Sequence, residues 1–493
     1  MKISDLLHEL DIHTSLLNRL EHIDVKGIAD NSTDVQSGYL FIAIEGYQSD
    51  GHDYIADAIK NGAILIIGEK DLEVDAVPYV QVANSRKALG TIARNFYHNP
   101  SQTKMMIGIT GTNGKTTTSY MLKHILEQNG KTCSIIGTIH NIINGEIVPS
   151  DNTTPSVLTL NKLLAQSTDD VAILEVSSHG LTQFRVEGIT FDYAIFTNLY
   201  HEHLDYHQSM EDYFQAKLLL FNHLKANGQA IINTDNEWGE KLASILHQRG
   251  VTTHCIGKSS NNDIQLLDLS IKNSSVFARE ADHQTVELLC PMPGIHNMYN
   301  SIMAYVTAKL IGISKALIRQ EIKSFQGVKG RFETTKVGSS PTIVVDYAHT
   351  PDAILHCLSS AKGFGAKGII HVFGFRGNRD KSKRKEMLEI TAKLSDHYIL
   401  TFDDLNGISE EEMMETLKAL NSAYGNQKGM IIPDRTLAIQ KAIELGEEED
   451  WVIITGKGHE TYQQAYSLET ESDDITVQHV LAQSSRQRLA NMN

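Results

Sequence analysis

The stretch Met105-Met106-Ile107-Gly108-Ile109-Thr110, running into Gly111-Thr112-Asn113-Gly114-Lys115-Thr116-Thr117, constrains the fold more than any other part of the chain. An apolar strand, a Gly-rich loop and a helical pattern that ends at Asn129-Gly130 make one strand-loop-helix unit. Glycines let backbone N–H groups approach phosphates, and Lys115 adds positive charge, so ATP is the expected ligand. Thr116 is placed to ligate Mg²⁺ beside those phosphates. Strict phosphate-loop spacing would put glycine at 109, where the chain has Ile109; its glycines stand at 108 and 111. A plain Gly-rich turn is the rival reading, but it leaves the lysine and hydroxyl pair a coincidence.

At 493 residues the chain has room for about three domains of roughly 150 residues each. Lys plus Arg number 44 against 60 Asp plus Glu, a net charge of −16 that opposes sequence-independent attraction to nucleic acid or to an anionic membrane. Anionic substrates must then be captured by local cationic pockets. With 41% apolar residues and no run of about 18, a membrane span is not expected. The opening MKISDLLHELDIHTS carries early acidic residues and lacks a basic region followed by an apolar stretch, so a cytoplasmic location is expected. Cys133, Cys255, Cys290 and Cys357 form no CxxC pair and read as buried thiols.

A polar stretch, YHNPSQT, places the first linker around Tyr97–Thr103. Beyond it, VAILEV (171–176) and FDYAIFTNL (191–199) read as parallel strands with sites at their carboxyl ends. After a helix-like stretch from Asn297 to Leu310, TIVVDYAH, GIIHVFGF, HYILTF and WVIITGKG alternate with helical patterns as a further α/β unit. The expected domains are residues 1–99, 100–328 and 329–493.

Glu175 ends a strand expected to be buried, where a carboxylate is costly unless it meets a cation or donors; a second metal ligand is the functional reading and a satisfied structural carboxylate the other. The run His201-Glu202-His203-Leu204-Asp205-Tyr206-His207 invites a zinc reading, but HExxH would need histidine where Asp205 stands. One of these histidines remains a candidate ligand for a hard metal. The cations Arg376, Arg379, Lys381, Lys383 and Arg384 are suited to hold carboxylates or phosphates, with a solvated basic loop as the alternative.

Together GTNGKTTT, NTTP (152–155), EVSSHG, HLDYH with Lys217 downstream, GIHNMYN, GRFE, DYAHTPD, NRDKSKR, DRTLAI and GKGHETYQ resemble the Mur ligase family in order and spacing over nearly the whole chain. Within it the chain is similar to the MurE type, which adds the third residue to UDP-N-acetylmuramoyl-L-alanyl-D-glutamate. The resemblance implies an α/β fold with an N-terminal UDP-sugar-binding domain, a central P-loop ATPase-like domain and a Rossmann-like C-terminal domain that receives the amino acid. It implies that Gly111 to Thr117, Asn297, Arg331 and Asp346 contact ATP. Lys115, His203 and Lys217 become the catalytic set, and Thr116, Glu175, His203 and a carbamylated Lys217 the Mg²⁺ ligands. Ser32, Thr153, Thr154, Ser177, Gln183 and Arg185 match positions holding the UDP-sugar peptide. Arg379, Asp403, Asp404, Asn406, Gly456 and Glu460 match the site of the incoming amino acid. The implied protein is a monomer with no nucleic-acid or membrane partner.

Three departures bear on this reading. Asn31-Ser32-Thr33 lacks the arginine of the family's Asp-Ser-Arg, and Glu202 stands where aspartate is usual. Asp403-Asp404-Leu405-Asn406 replaces the Asp-Asn-Pro-Arg of diaminopimelate-adding relatives, and Asn406 cannot supply the arginine's charge. Two carboxylates there would suit an ammonium group, so L-lysine is slightly favoured over meso-diaminopimelate. The rivals are a folylpolyglutamate-type ligase, a P-loop phosphotransferase or motor, and a non-catalytic paralogue that binds UDP-sugar.

Overall fold

The computed structural model describes residues 1–10, 12, 20, 22–46, 49–150 and 152–491. His13, Thr14 and Ser15 of the opening segment lie outside the described residues. Among the described residues no helix is long and apolar enough to cross a membrane.

Three sheets follow one another along the chain. The first holds β1 (Gly27–Ala29), β2 (Tyr39–Ile42), β3 (Ala63–Gly68) and β4 (Tyr79–Gln81), all parallel and in chain order. Eleven strands form the second: β5 (Met105–Thr110), β6 (Cys133–Ile136), β7 (Asn141–Ile143), β8 (Glu146–Val148), β9 (Val171–Glu175), β10 (Phe191–Phe196), β11 (Leu224–Asn233), β12 (Thr252–Gly257), β13 (Ile264–Ser270), β14 (Ser275–Glu280) and β15 (Thr285–Leu289). Their spatial order is β15-β14-β13-β12-β11-β10-β5-β9-β6-β7-β8. The third contains β16 (Glu333–Thr335), β17 (Thr342–Asp346), β18 (Ile369–Phe375), β19 (His397–Phe402), β20 (Gly429–Ile431) and β21 (Trp451–Thr455), ordered β16-β17-β21-β18-β19-β20.

Strand β5 is apolar on both sides because both faces of the sheet are covered. Ile107 and Ile109 pack with Met121, Leu122, Ile125 and Leu126 of the helix Lys115–Gln128, while Met106 joins Leu160, Leu164 and Leu174 on the opposite face. Such double coverage is what a continuous apolar strand requires in a parallel sheet. Parallel pairing holds from β6 through β9, β5, β10 and β11 to β13, as the apolar runs imply. Both edges differ: β6-β7-β8 and β13-β14-β15 are antiparallel. Burial alternates along β15, so this edge is a half-exposed ribbon rather than a buried parallel strand. From β5 the chain passes to β6, beyond β9 on one side, and later crosses from β9 to β10 on the other; such a reversal of direction in the sheet sets a crevice at the strand carboxyl ends.

The third sheet is likewise covered on both faces, with Val344, Phe373, Leu400 and Ile453 on one and Ile343, Val345, Val372 and Ile454 on the other. A buried ion pair ties its end to the last helix. Arg435, fully buried, donates from Nε and Nη2 to the Asp473 carboxylate at 2.7 Å each and from Nη2 to the Thr455 carbonyl at 2.9 Å. Removing one member of such a pair leaves a desolvated charge. Arg435→Ala should therefore cost about 3–5 kcal/mol. Denaturant unfolding checks this; a loss under about 1 kcal/mol, the range of an exposed pair, would contradict it.

Candidate active site

The loop after β5 is shaped by close approach. Gly111 (φ 146°) leaves no room for a side chain, because a Cβ there would lie 1.8 Å from Thr197 Oγ1. Gly114 (φ 91°) caps the helix Lys115–Gln128, and a Cβ on it would lie 2.3 Å from Asn300 Oδ1. Side chains following β10 fix the loop: Asn113 N donates to Asn198 Oδ1 at 2.9 Å, and Thr197 Oγ1 donates to Asn113 O at 2.6 Å. Lys115 Nζ lies over the loop, donating to Gly111 O at 2.8 Å and Thr112 O at 3.0 Å. Burial lowers the Lys115 ammonium from its ordinary value, against the pull of Glu175 and Glu202.

Glu175, at the end of β9, is fully buried. Its carboxyl accepts from Thr116 Oγ1 at 2.8 Å, Thr138 Oγ1 at 2.8 Å and Thr138 N at 3.2 Å, and it makes no ion pair among the described residues. A Cβ at residue 137 would lie 2.2 Å from Glu175 Oε1, so Gly137 is needed for the carboxyl to sit there. Lys217, on the helix Met210–Leu218, donates from Nζ to Gly111 O at 2.9 Å and lies 4.6 Å from the Tyr213 ring centroid. Burial holds its amine well below the usual lysine range, and Lys115 pushes the same way. His203 has left-handed backbone (φ 59°), and burial pushes its imidazole down to about 3.

Four of the residues matched to the UDP-sugar peptide form one network. Thr154 Oγ1 donates to Glu175 O at 2.9 Å and meets Ser177 Oγ at 3.2 Å. Arg185 donates to Thr154 O at 2.7 Å and, from Nη2, to Gln183 Oε1 at 2.8 Å. Thr153 Oγ1 sits 3.2 Å from Thr138 Oγ1, which joins it to the Glu175 cluster. Ser32 is buried in the first unit, on the turn after β1, and its carbonyl accepts from Asn61 Nδ2 at 2.8 Å; among the described residues no hydrogen bond links it to the other five.

The third unit closes over the loop. Arg331 donates to Thr116 Oγ1 at 3.3 Å and stacks 4.4 Å above the Tyr347 ring. Asp346 ends β17 and accepts from Phe332 N and Ala348 N at 2.6 Å each. Asn113 Nδ2 lies 3.4 Å from Asp352 Oδ2, and His349 Nε2 lies 2.9 Å from Glu202 Oε1. Although burial raises it, His203 and His349 hold the buried Glu202 carboxyl well below the usual range. Residues 112 to 117, His203, Asn297, Arg331 and Asp346 line one cavity of about 290 Å³.

Hard oxygen donors in contact, Thr116 and Glu175, fit Mg²⁺. A neutral His203 is a chemically competent ligand, whereas unmodified Lys217 is a potential cation and fits only as a carbamate. Among the described residues no group of three or more His, Cys, Asp or Glu side chains is gathered closely enough to hold a metal. Of the four expected ligands, Thr116 and Glu175 are in direct contact, Thr116 and His203 line the same cavity, and Lys217 reaches the loop at Gly111 O.

At the expected amino-acid site two expectations change. Asp403 and Asp404 are not free for a substrate ammonium: both are buried, and Lys457 Nζ lies 2.6 Å from Asp404 Oδ1 and 3.6 Å from Asp403 Oδ1. That removes the basis for favouring L-lysine. Arg379 is exposed and makes no ion pair or hydrogen bond among the described residues, while Arg376, directly after β18, turns inward to Glu460 and to Gly456 O at 3.2 Å. Asn406 is exposed with left-handed backbone (φ 47°), its Nδ2 donating to Gly377 O at 3.0 Å. The inward turn of Arg376, the Lys457 pairing and the loop-fixing role of Thr197 and Asn198 escaped the sequence reading; the position of Thr197-Asn198 at the end of FDYAIF was the one available signal.

Matches to known families run along the chain in the same order as the sheets: Mur ligase family, catalytic domain, over residues 24–97; Mur ligase middle domain over 109–308; and Mur ligase, glutamate ligase domain, over 330–458. The chain is 38% identical over 454 residues to UDP-N-acetylmuramoyl-L-alanyl-D-glutamate--2,6-diaminopimelate ligase of Caldanaerobacter subterraneus subsp. tengcongensis, covering 90% of this chain and 91% of that one. The protein of the same name from Clostridioides difficile is 37% identical over 484 residues, 97% of this chain and 98% of that one. Among solved structures, one of a ligase with that name superposes with a TM-score of 0.68 at 27% identity, covering 98% and 99% of the two chains. Another, MurF ligase from Thermotoga maritima in complex with ADP, shares the fold with a TM-score of 0.62 at 21% identity, covering 87% and 94%.

Fold and site together define an ATP-dependent, ADP-forming ligase with a central phosphate-loop unit and a Rossmann-like last unit. Within that class the chain belongs to the Mur ligase family, and its homologues are of the MurE type. Gly114→Ala must place a side chain at φ 91° and against Asn300. Such strain is of the order of 1–3 kcal/mol, so ATP affinity should fall by about 5- to 150-fold. Calorimetric titration checks this; unchanged affinity would contradict it.

Proposed function

We propose that the chain joins a diamino acid, meso-diaminopimelate or L-lysine, to UDP-N-acetylmuramoyl-L-alanyl-D-glutamate, as a cytoplasmic step of peptidoglycan precursor synthesis. The names of the relatives support the sugar-dipeptide acceptor. The observation that carries the reading is the single cavity lined by the Lys115 loop and, across the cleft, by Arg331 and Asp346. On this reading residues 1–99 hold the UDP-sugar with Ser32, 100–328 hold ATP and the peptide end, and 329–493 supply the amino acid.

In the reaction, the D-glutamyl carboxylate attacks the γ-phosphate of ATP, releasing ADP and leaving an acyl phosphate. The amine then attacks the acyl carbon and orthophosphate departs. Protein work in such a transfer is positioning and electrostatics. Lys115 and Arg331 bring positive charge to the phosphates, and Thr154, Ser177, Gln183 and Arg185 orient the dipeptide. Mg²⁺, when bound by Thr116 and Glu175 with His203 and a carbamylated Lys217, would offset charge on the transferring phosphoryl group. Because burial disfavours its ammonium form, the Lys217 amine is available to add CO₂ and lose a proton, which leaves an anion where a solvated lysine would carry a cation.

Orthophosphate release should require both the nucleotide dipeptide and an amino acid, and oxygen from the D-glutamyl carboxylate should appear in it. Release indifferent to the amine would point to a phosphotransferase, and none at all to a sensor. Lys217→Ala should lower turnover by about 10²–10³-fold, the effect of losing one electrostatic stabiliser, with partial recovery by a short added carboxylate. Undiminished turnover would remove the carbamate.

A further inference from the structure

Arg376 leaves β18 at its carboxyl end and turns its guanidinium into the site between Glu460, Asp403 and the Gly456 carbonyl. All of its hydrogen bonding passes through Nη2, which donates to Glu460 Oε2 and Gly456 O. Nε is buried without an acceptor and stands 3.7 Å from Asp403 Oδ2, and Nη1 makes no hydrogen bond among the described residues. The Tyr347 ring lies 5.6 Å from the guanidinium, and the Tyr347 hydroxyl donates to Glu460 Oε1 at 3.0 Å. Both charged groups remain partly open, Arg376 at 20% and Glu460 at 29% side-chain exposure, whereas Asp403 at 2%, Asp404 at 5% and Lys457 at 1% are closed off. The accessible polar surface of this site is therefore an ion pair, not a carboxylate cluster.

We infer that Arg376 is the residue by which this ligase selects its amino acid, and that the Arg376–Glu460 pair is a template for a zwitterionic distal end. This rests on the ligase reading above. A substrate carrying both an ammonium and a carboxylate at its far end exchanges one ion pair for two: its carboxylate meets the guanidinium, whose planar fork suits that group, and its ammonium meets Glu460. L-Lysine brings only the ammonium, so drawing Glu460 away would leave Arg376 with only the buried Asp403, 3.7 Å from Nε and shared with Lys457, and no carboxylate at the open Nη side of its fork. Leaving those donors of a part-buried guanidinium without an acceptor is the costly outcome, and such mismatches carry most of the discrimination between close analogues. Asn406 carries no charge to add to this balance, and one N–H of its amide is given to Gly377 O. The loop it sits on is held against the Arg376 loop by Gly377 N donating to Asp404 O at 2.9 Å, so the guanidinium has a fixed floor. The substrate class assigned is a diamino dicarboxylic acid such as meso-diaminopimelate.

The test is orthophosphate release with saturating ATP and nucleotide dipeptide, comparing meso-diaminopimelate, L-2-aminopimelate and L-lysine. These offer both distal charges, the carboxylate alone and the ammonium alone. The wild-type chain should favour meso-diaminopimelate over lysine in kcat/KM by about 10- to 150-fold, the range for one charge-assisted hydrogen-bond partner. Arg376→Gln should erase most of that ratio while leaving the KM for ATP unchanged, and Arg376→Lys, which keeps the charge but not the fork, should fall between. A wild-type preference for lysine, or an unaltered ratio in both variants, overturns the inference and leaves the ligase reading standing. Failure of the wild-type chain to release orthophosphate with any amine overturns both.

Discussion

A carboxylate fully withdrawn from water with no ion-pair partner among the described residues is costly, and Glu175 is such a group. Its solution organises the centre of the molecule. Thr116 arrives from the start of the loop helix, Thr138 from the segment after β6, and both give their hydroxyls to one carboxyl oxygen. The strand that carries Glu175 is buried along its whole length, so its end cannot shift without moving the sheet. Three chain segments are thereby held at fixed spacing around the loop, and the third unit reaches the same hydroxyl through Arg331. The proposed metal and phosphate site and the approach of the last unit share one anchor.

Much of this was legible because the strands here are buried on both faces. Met105–Thr110, Val171–Glu175 and Phe191–Phe196 stand out as apolar runs broken by polar residues, and the chemistry sits where each run stops. The edges were not legible: β7, β8 and β15 are short and partly exposed, and their pairing is decided by neighbours rather than by their own residues. The same distinction separates good and poor readings of the site. Lys115, Thr116 and Glu175 occupy positions dictated by local strand-loop-helix geometry. That Arg376 turns inward depends on Glu460, 84 residues further on, and the fate of Asp404 depends on Lys457, 53 residues away. A pattern of charges shows that a loop is basic; it does not show which partners the fold has already given them.

The two carboxylates at 403 and 404 illustrate why composition misleads in a polar pocket. Taken alone they form an ammonium site. Folded, they are the buried counter-ions of Lys457, and the charge that remains open is carried by Arg376 and Glu460. Selectivity in such a site follows from the residual imbalance after internal pairing.

Arg331 and Asp346 lie beyond residue 328, yet they wall the same cavity as the loop that starts at Gly111. More than two hundred residues of chain must be made and folded between the first wall and the last. During synthesis, then, a growing chain completes one wall of this cavity long before the opposite wall exists, and the cavity closes only once the final third has docked.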